Sequence, residues 1–142
     1  MHQINRFDGE HFFLSNFYPC KVRFDEQFYN SSEHAYQAAK TLDDTIRYKF
    51  RQDIKSLEAK RMGKKIKLRK DWEAVKRNIM EKIVLDKFTR NFDLRERLLQ
   101  TGSLELIEGN TWNDTYWGVC NGQGFNHLGR ILMKVRDQIN II

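Results

Sequence analysis

The sequence is poor in the residues and patterns that mark several common architectures. Among 142 residues there is one proline and there are two cysteines. Cys20 and Cys120 lie far apart and form no C-x-x-C pair, which argues against a disulfide scaffold and for a reduced, cytoplasmic chain. Apolar runs such as "IVL" at 83–85 are far shorter than the roughly 20 residues a membrane-spanning helix needs. The opening "MHQINRFDGE" lacks the apolar core of a secretory signal. Histidines at 2, 11, 34 and 127 show no metal-ligand spacing with the cysteines, so no zinc site is expected. There is no G-x-S-x-G elbow, no P-loop, no dinucleotide-binding fingerprint, no internal repeat and no low-complexity stretch. Neither a metal nor an organic cofactor is implied.

Aromatic residues are plentiful, with ten Phe, five Tyr and three Trp, and the length suits one domain, 1–142, with a buried core and no visible linker. The formal net charge is +6, and much of the excess sits in "KRMGKKIKLRK" at 60–70. That run is either a solvated, lysine-rich surface or one that attracts phosphate on a nucleotide or polynucleotide. Charge alone does not separate the two.

The pattern predicts a mainly α fold with a small β element. The first thirty residues, with "HFFLSNFYP" and the alternating "CKVRF", read as short strands and turns, and "EQFY" pairs with the latter across a "DE" turn. A helix is expected from Ser32, as its cap, to Leu42, then one over "DDTIRYKFRQ" and a short one over "SLEAKRMGK" ended by Gly63. The clearest helix runs from a capping Asp71 to Phe88, with Trp72, Val75, Ile79, Met80, Ile83, Val84 and Phe88 at helical spacing. Leu94–Gln100 closed by Gly102, a brief strand in "LELIEG", and a helix from Asn126 with Leu128, Ile131, Leu132 and Val135 inward complete the chain.

Three segments carry more polar residues than packing requires. In "FLSNF" (13–17), Ser15 and Asn16 are enclosed by apolar neighbours; a turn is the plain alternative. In "NSSEHAYQAAK" (30–40), Glu33, Tyr36, Gln37 and Lys40 recur at spacings of three, four and seven, so they share one helical stripe. Tyr36 and Gln37 are equally compatible with ordinary packing. In "EGNTWNDTYWGVCNGQGFNHLG" (108–129), Asn110, Trp112, Asn113, Asp114, Tyr116 and Trp117 precede glycines at 118, 122, 124 and 129 and run into a helix N-terminus suited to phosphate. A structural loop packed by its tryptophans is the alternative. What remains is a carboxylate site with aromatic walls and a lysine, the parts that glycosidic hydrolysis uses.

Taken together, "FLSNFYP", "YNSSEHAYQAAK", "DWEAVKRNIMEKIVLDKF" and "EGNTWNDTYWGVCNGQGFNHLGRILMKVR" resemble the YbiA-like superfamily, also called NADAR, in order and spacing over nearly the whole chain. The resemblance implies a mainly α, single-domain N-glycosidase. One branch of that family hydrolyses ribosylaminopyrimidine 5′-phosphates of the early riboflavin pathway; another removes ADP-ribose from the guanine amino group of nucleic acid. Carried over by position, Glu33 matches the acid of the S-x-E-H motif, a general acid/base. Lys40 matches the lysine closing "YQAAK", Trp72 an aromatic near the start of the long helix, and Asp114 the acid of W-N-D-x-x-W-G. Glu33, Lys40 and Asp114 are therefore the expected catalytic residues. Asn16, Tyr36, Trp72, Trp112, Asn113, Trp117, Gly118 and Asn126 are the expected substrate-binding ones, although Trp72 also reads as core and Asn126 as a helix cap.

Two schemes fit these parts. Lys40 can capture C1′ of a ring-opened ribosylamine as a Schiff base, which requires an amine held partly neutral by burial or neighbouring cations. Alternatively Glu33 protonates the leaving nitrogen while Asp114 guides water or stabilises the cation, and Lys40 contacts phosphate. The expected partner is ADP-ribosylated nucleic acid, favoured by the positive charge, or a phosphorylated ribosylamine metabolite, with no membrane. A non-catalytic ADP-ribose-binding module and a plain nucleic-acid-binding protein are the rival classes.

Overall fold

The computed structural model describes residues 2–141, omitting the side chain of Ile141. Helices dominate and the strands are few and short, an α+β fold as the sequence pattern predicts. The chain divides into two compact units, one made of the segment up to Ser15 with everything from Phe92 onward, the other of Asn16–Asn91.

In the first unit, β1 (Gln3–Ile4) pairs in parallel with β4 (Glu105–Leu106), placing Ile4 opposite Leu106, and both are buried. The next segment departs from expectation. "GEHFFL", part of the aromatic stretch expected as strand and turn, is a 3-10 helix over Gly9–Leu14. A strand would send Phe13 and Leu14 to opposite faces. The tighter coil buries both, and Phe13 lies under the Arg97 guanidinium, 4.2 Å from its ring centroid. α5 (Phe92–Gln100) ends at Gly102, whose positive φ of 63° lets its N–H bond the Leu99 carbonyl at 3.0 Å. α6 (His127–Ile141) turns Leu128, Ile131, Leu132, Val135 and Ile139 inward. Its buried Arg136 donates to Thr101 Oγ1 and to the Leu104 carbonyl, each at 2.9 Å.

In the second unit, β2 (Val22–Phe24) and β3 (Gln27–Tyr29) form the predicted hairpin, with Val22 opposite Tyr29. Its two turn residues, Asp25 and Glu26, take φ of 46° and 66°, the left-handed pair that a two-residue turn between twisted strands requires. α1 (Ser32–Ala39), α2 (Asp44–Lys49), α3 (Ser56–Gly63) and α4 (Trp72–Arg90) follow. α1 is the centre of this unit: all eight of its residues are buried, and α3, α4 and the hairpin pack around it.

Two caps differ from the sequence reading. Ser31, not Ser32, caps α1, because its hydroxyl accepts the His34 N–H, and α1 stops at Ala39 with Lys40 as its C-cap. Asp71 precedes α4 but makes no capping bond; Arg69, 2.7 Å away, takes its carboxylate instead. α4 also buries Lys87 completely, and burial pushes its amine down to about 8, the ammonium lying 5.0 Å from the Phe88 ring centroid. No described helix is long and apolar enough to cross a membrane.

Candidate active site

The start of α1 is clipped in place by the two outer residues of S-x-E-H. Ser31 Oγ sits 2.6 Å from His34 Nδ1, and His34 Nε2 lies 2.7 Å from the Ile54 carbonyl. A carbonyl only accepts, so Nε2 carries the proton and the serine hydroxyl donates to Nδ1. The imidazole is thus neutral, and burial holds its pKa below the usual histidine value despite the carbonyl. Both nitrogens are occupied, which makes His34 a structural anchor. Between the anchors, the Glu33 N–H donates to the Asn16 carbonyl at 2.9 Å. The "FLSNF" turn and the acid of the stripe are thereby locked together.

Glu33 is buried, and Gln37 Nε2 donates to its Oε2 at 2.6 Å. Gln37 is buttressed in turn by Gly63 of α3. A Cβ on Gly63 would collide with Gln37 Oε1 and lie 2.5 Å from its Cδ, so only glycine lets α3 approach this closely. Tyr36 packs its ring 5.2 Å from that of Trp72, and the Lys40 ammonium lies 5.7 Å from the Tyr36 centroid. Lys40 is half-buried. Burial is the main cause that lowers its pKa; the Glu33 carboxylate opposes the shift, while Lys64, Lys76 and Lys60 reinforce it. An amine whose charged form is destabilised can act as a nucleophile, and a carboxylate on the same stripe can take up a proton and pass it on.

Asn16, Glu33, Tyr36, Lys40 and Trp72 are therefore assembled around α1 within Asn16–Asn91. Trp72 is only 4% exposed and spends its ring on Tyr36, so it is a wall of the unit rather than a face open to a base. Sequence reasoning undervalued Gln37, whose position midway between Glu33 and Lys40 on the stripe was the available signal.

The remaining expected residues belong to the other unit, where a web of hydrogen bonds shapes their loop. Asp114 Oδ1 accepts the N–H groups of Tyr116 (3.2 Å) and Trp117 (2.9 Å), and Asn110 brackets Asp114 by donating to its carbonyl and accepting its N–H. Gly118 permits close packing, since a Cβ there would strike the Glu108 carboxylate. Asn126, at φ 54°, donates to the Leu106 carbonyl (3.0 Å) and accepts the Glu108 N–H (2.9 Å). Both ends of that amide are thus spent on backbone, and Asn126 is a buckle rather than a phosphate ligand. Trp112 and Asn113 are exposed, while Trp117 meets Tyr116 edge-on at 4.8 Å. A cleft of about 380 Å³ in this unit is lined by Phe125, Asn126 and Arg130 among others. Among the described residues no three His, Cys, Asp or Glu are grouped to hold a metal ion.

Comparison with known proteins identifies the family of the chain. The NADAR domain profile covers residues 4–140. The chain is 41% identical over 131 residues to the N-glycosidase YbiA of Shigella boydii serotype 4, covering 90% of this chain and 81% of that protein. It is 38% identical over 135 residues to a riboflavin biosynthesis protein of Vibrio vulnificus, covering 93% of this chain but 36% of that longer protein. The NMR structure of the Escherichia coli protein YbiA superposes with a TM-score of 0.85 at 34% identity, covering 99% of this chain and 90% of that one. The chain belongs to the NADAR family and is an N-glycosyl hydrolase.

Proposed function

We propose that this N-glycosidase cleaves the N-ribosidic bond of a ribosylamine carrying phosphate on its sugar, with Lys40 as nucleophile and Glu33 as proton donor. The observation that carries the reading is the buried Glu33–Gln37 hydrogen bond with the half-buried Lys40 next along the same stripe. In the substrate, the nitrogen lone pair opens the ribose to an iminium at C1′ and O4′ takes up a proton. The Lys40 amine adds to C1′; Glu33 protonates the departing nitrogen, which leaves as the free amine. Water then adds to the lysine iminium, the amine of Lys40 is expelled, and the sugar recloses. Asp114 enters no step of this scheme.

Two substrates meet the description. Guanine ADP-ribosylated in nucleic acid is favoured by the net charge of +6, which suits a polyanion. A ribosylaminopyrimidine 5′-phosphate is favoured by the name of the Vibrio relative. Turnover of both is measured side by side with wild type, Glu33→Gln and Lys40→Met, together with borohydride treatment during turnover. Release of ADP-ribose or of ribose 5-phosphate, lost in both variants, with a reduced sugar adduct on Lys40, is the expected outcome and selects the substrate. ADP-ribose binding without turnover of either substrate would overturn the catalytic reading in favour of a binding module.

A further inference from the structure

Gln37 belongs to no step of the scheme above, yet both ends of its amide are constrained. Its Nε2 donates to Glu33 Oε2 at 2.6 Å, and the side chain is buried. Its Oε1 is buried as well, and among the described residues no N–H or O–H donates to it. What Oε1 meets is Gly63. The direction in which a Cβ would leave that residue runs straight into Oε1, so a Cα hydrogen of α3 faces the oxygen. Such a contact is a weak C–H···O bond. Rotating the amide by half a turn would press its NH2 group onto the same Cα hydrogen. It would also set Oε1 against Glu33 Oε2, oxygen to oxygen, which is tolerable only when Glu33 carries a proton. The backbone of α3 therefore selects the orientation in which Gln37 shows Glu33 a donor and no acceptor.

A hydrogen bond strengthens when its acceptor is ionised, so this orientation favours the carboxylate over the neutral acid. We propose that Gln37 is a positioning residue for the reaction: Gly63 fixes the polarity of its amide, and the amide holds Glu33 ionised and ready for the proton that Lys40 sheds. For the course of that proton the inference rests on the functional reading above. As the Lys40 nitrogen bonds to C1′ it becomes an ammonium, and Glu33 removes one of its protons. Glu33 then gives that proton to the departing nitrogen as its bond to C1′ breaks. The Lys40 lone pair forms the iminium, and the carboxylate is restored. A Glu33 already protonated could not accept the first proton. The charges that bear on the Glu33–Lys40 pair include Lys60 and Lys64 at the end of α3 and Lys76 on α4. Arg47 of α2 is paired with Asp25 of the hairpin turn at 2.7 Å, and His34 on α1 is neutral. These groups, and the other contacts of Glu33, are common to wild type and Gln37 variants, so a comparison between them isolates the amide.

The ionisation of Glu33 in the full chain tests this without relying on turnover. Carbon-13 NMR of the carboxyl groups follows its titration, the Glu33 signal being the one that Glu33→Gln removes. Wild type is compared with Gln37→Met, which keeps the length of the side chain without its N–H groups, and with Gln37→Glu, which keeps the shape and replaces the donor by oxygen. The Glu33 midpoint is expected to rise by about one pH unit in Gln37→Met and further in Gln37→Glu. The acid limb of kcat/KM should move with it in Gln37→Met. Gln37→Glu alone decides the matter if the methionine variant does not fold. Unchanged midpoints, with activity lowered equally at all pH values, would overturn the proposal and leave Gln37 a packing residue. A raised midpoint without turnover of any ribosylamine would leave the hold on Glu33 standing and remove the catalytic reading.

Discussion

Replacing Gly63 by alanine probes the contact on which the site's geometry depends. In an ordinary helix the change is favourable, by about 0.5–1 kcal/mol, because alanine loses less backbone freedom on folding. Here the new methyl group would collide with Gln37 Oε1 and sit 2.5 Å from Cδ and 3.0 Å from Cγ. The far end of a flexible side chain could swing away, but Gln37 is 4% exposed and its Nε2 is held by Glu33 at 2.6 Å. Either α3 is pushed off α1, an overpacking cost of about 1–3 kcal/mol, or Gln37 moves and the bond to the carboxylate, worth about 1.5–3 kcal/mol, is lost. With either cost incurred and the propensity gain subtracted, the expected destabilisation is about 0.5–2.5 kcal/mol. Urea unfolding would read it as a lowered midpoint at unchanged slope, and turnover should fall with it as Glu33 loses its partner. In a Gln37→Ala background the obstruction is gone, so Gly63→Ala should become neutral or slightly stabilising. A cycle with no coupling between the two positions, or a single variant as stable and active as wild type, would refute the reasoning.

Two further outcomes follow from the same geometry. His34 has a folded-state pKa below the ordinary 6.5, so at pH values between the two the unfolded chain binds more protons. Stability should therefore be full above 6.5 and decline as pH falls through that window, and His34→Gln should flatten the decline in pH-dependent denaturation curves, at the cost of some stability at neutral pH. Asn126→Ala forfeits two backbone hydrogen bonds and places alanine in the left-handed region, a loss of about 2–4 kcal/mol by chemical denaturation with KM unchanged. A raised KM without a stability loss would restore Asn126 as a ligand.

Much of the fold was readable because helices and hairpins are specified by neighbours within a few residues. The apolar spacing from Trp72 to Phe88 marks α4, and a two-residue turn between alternating segments marks the hairpin. The aromatic "HFFL" misled because aromatic residues favour strands, whereas the need to bury Phe13 and Leu14 on the same side selected a 3-10 turn. The capping error at Ser32 has the same origin, since either adjacent serine fits the pattern and only the position of His34 distinguishes them.

For the site, the sequence by itself determined the polar stripe: helical spacing alone puts Glu33, Tyr36, Gln37 and Lys40 on one side of α1. Only the tertiary structure decided what surrounds it. That Gly63 backs Gln37, that the Asn16 carbonyl holds Glu33, and that burial lowers the Lys40 pKa follow from the packing of segments that no local pattern encodes. The same holds for the buried Lys87 and for Asn126, which reads in the sequence as a helix cap more readily than as a phosphate ligand and whose amide holds the Leu106 carbonyl. A side chain's type and spacing limit what it can do; its burial and partners, which set its pKa and free its polar atoms for chemistry, are fixed by the packing of distant segments.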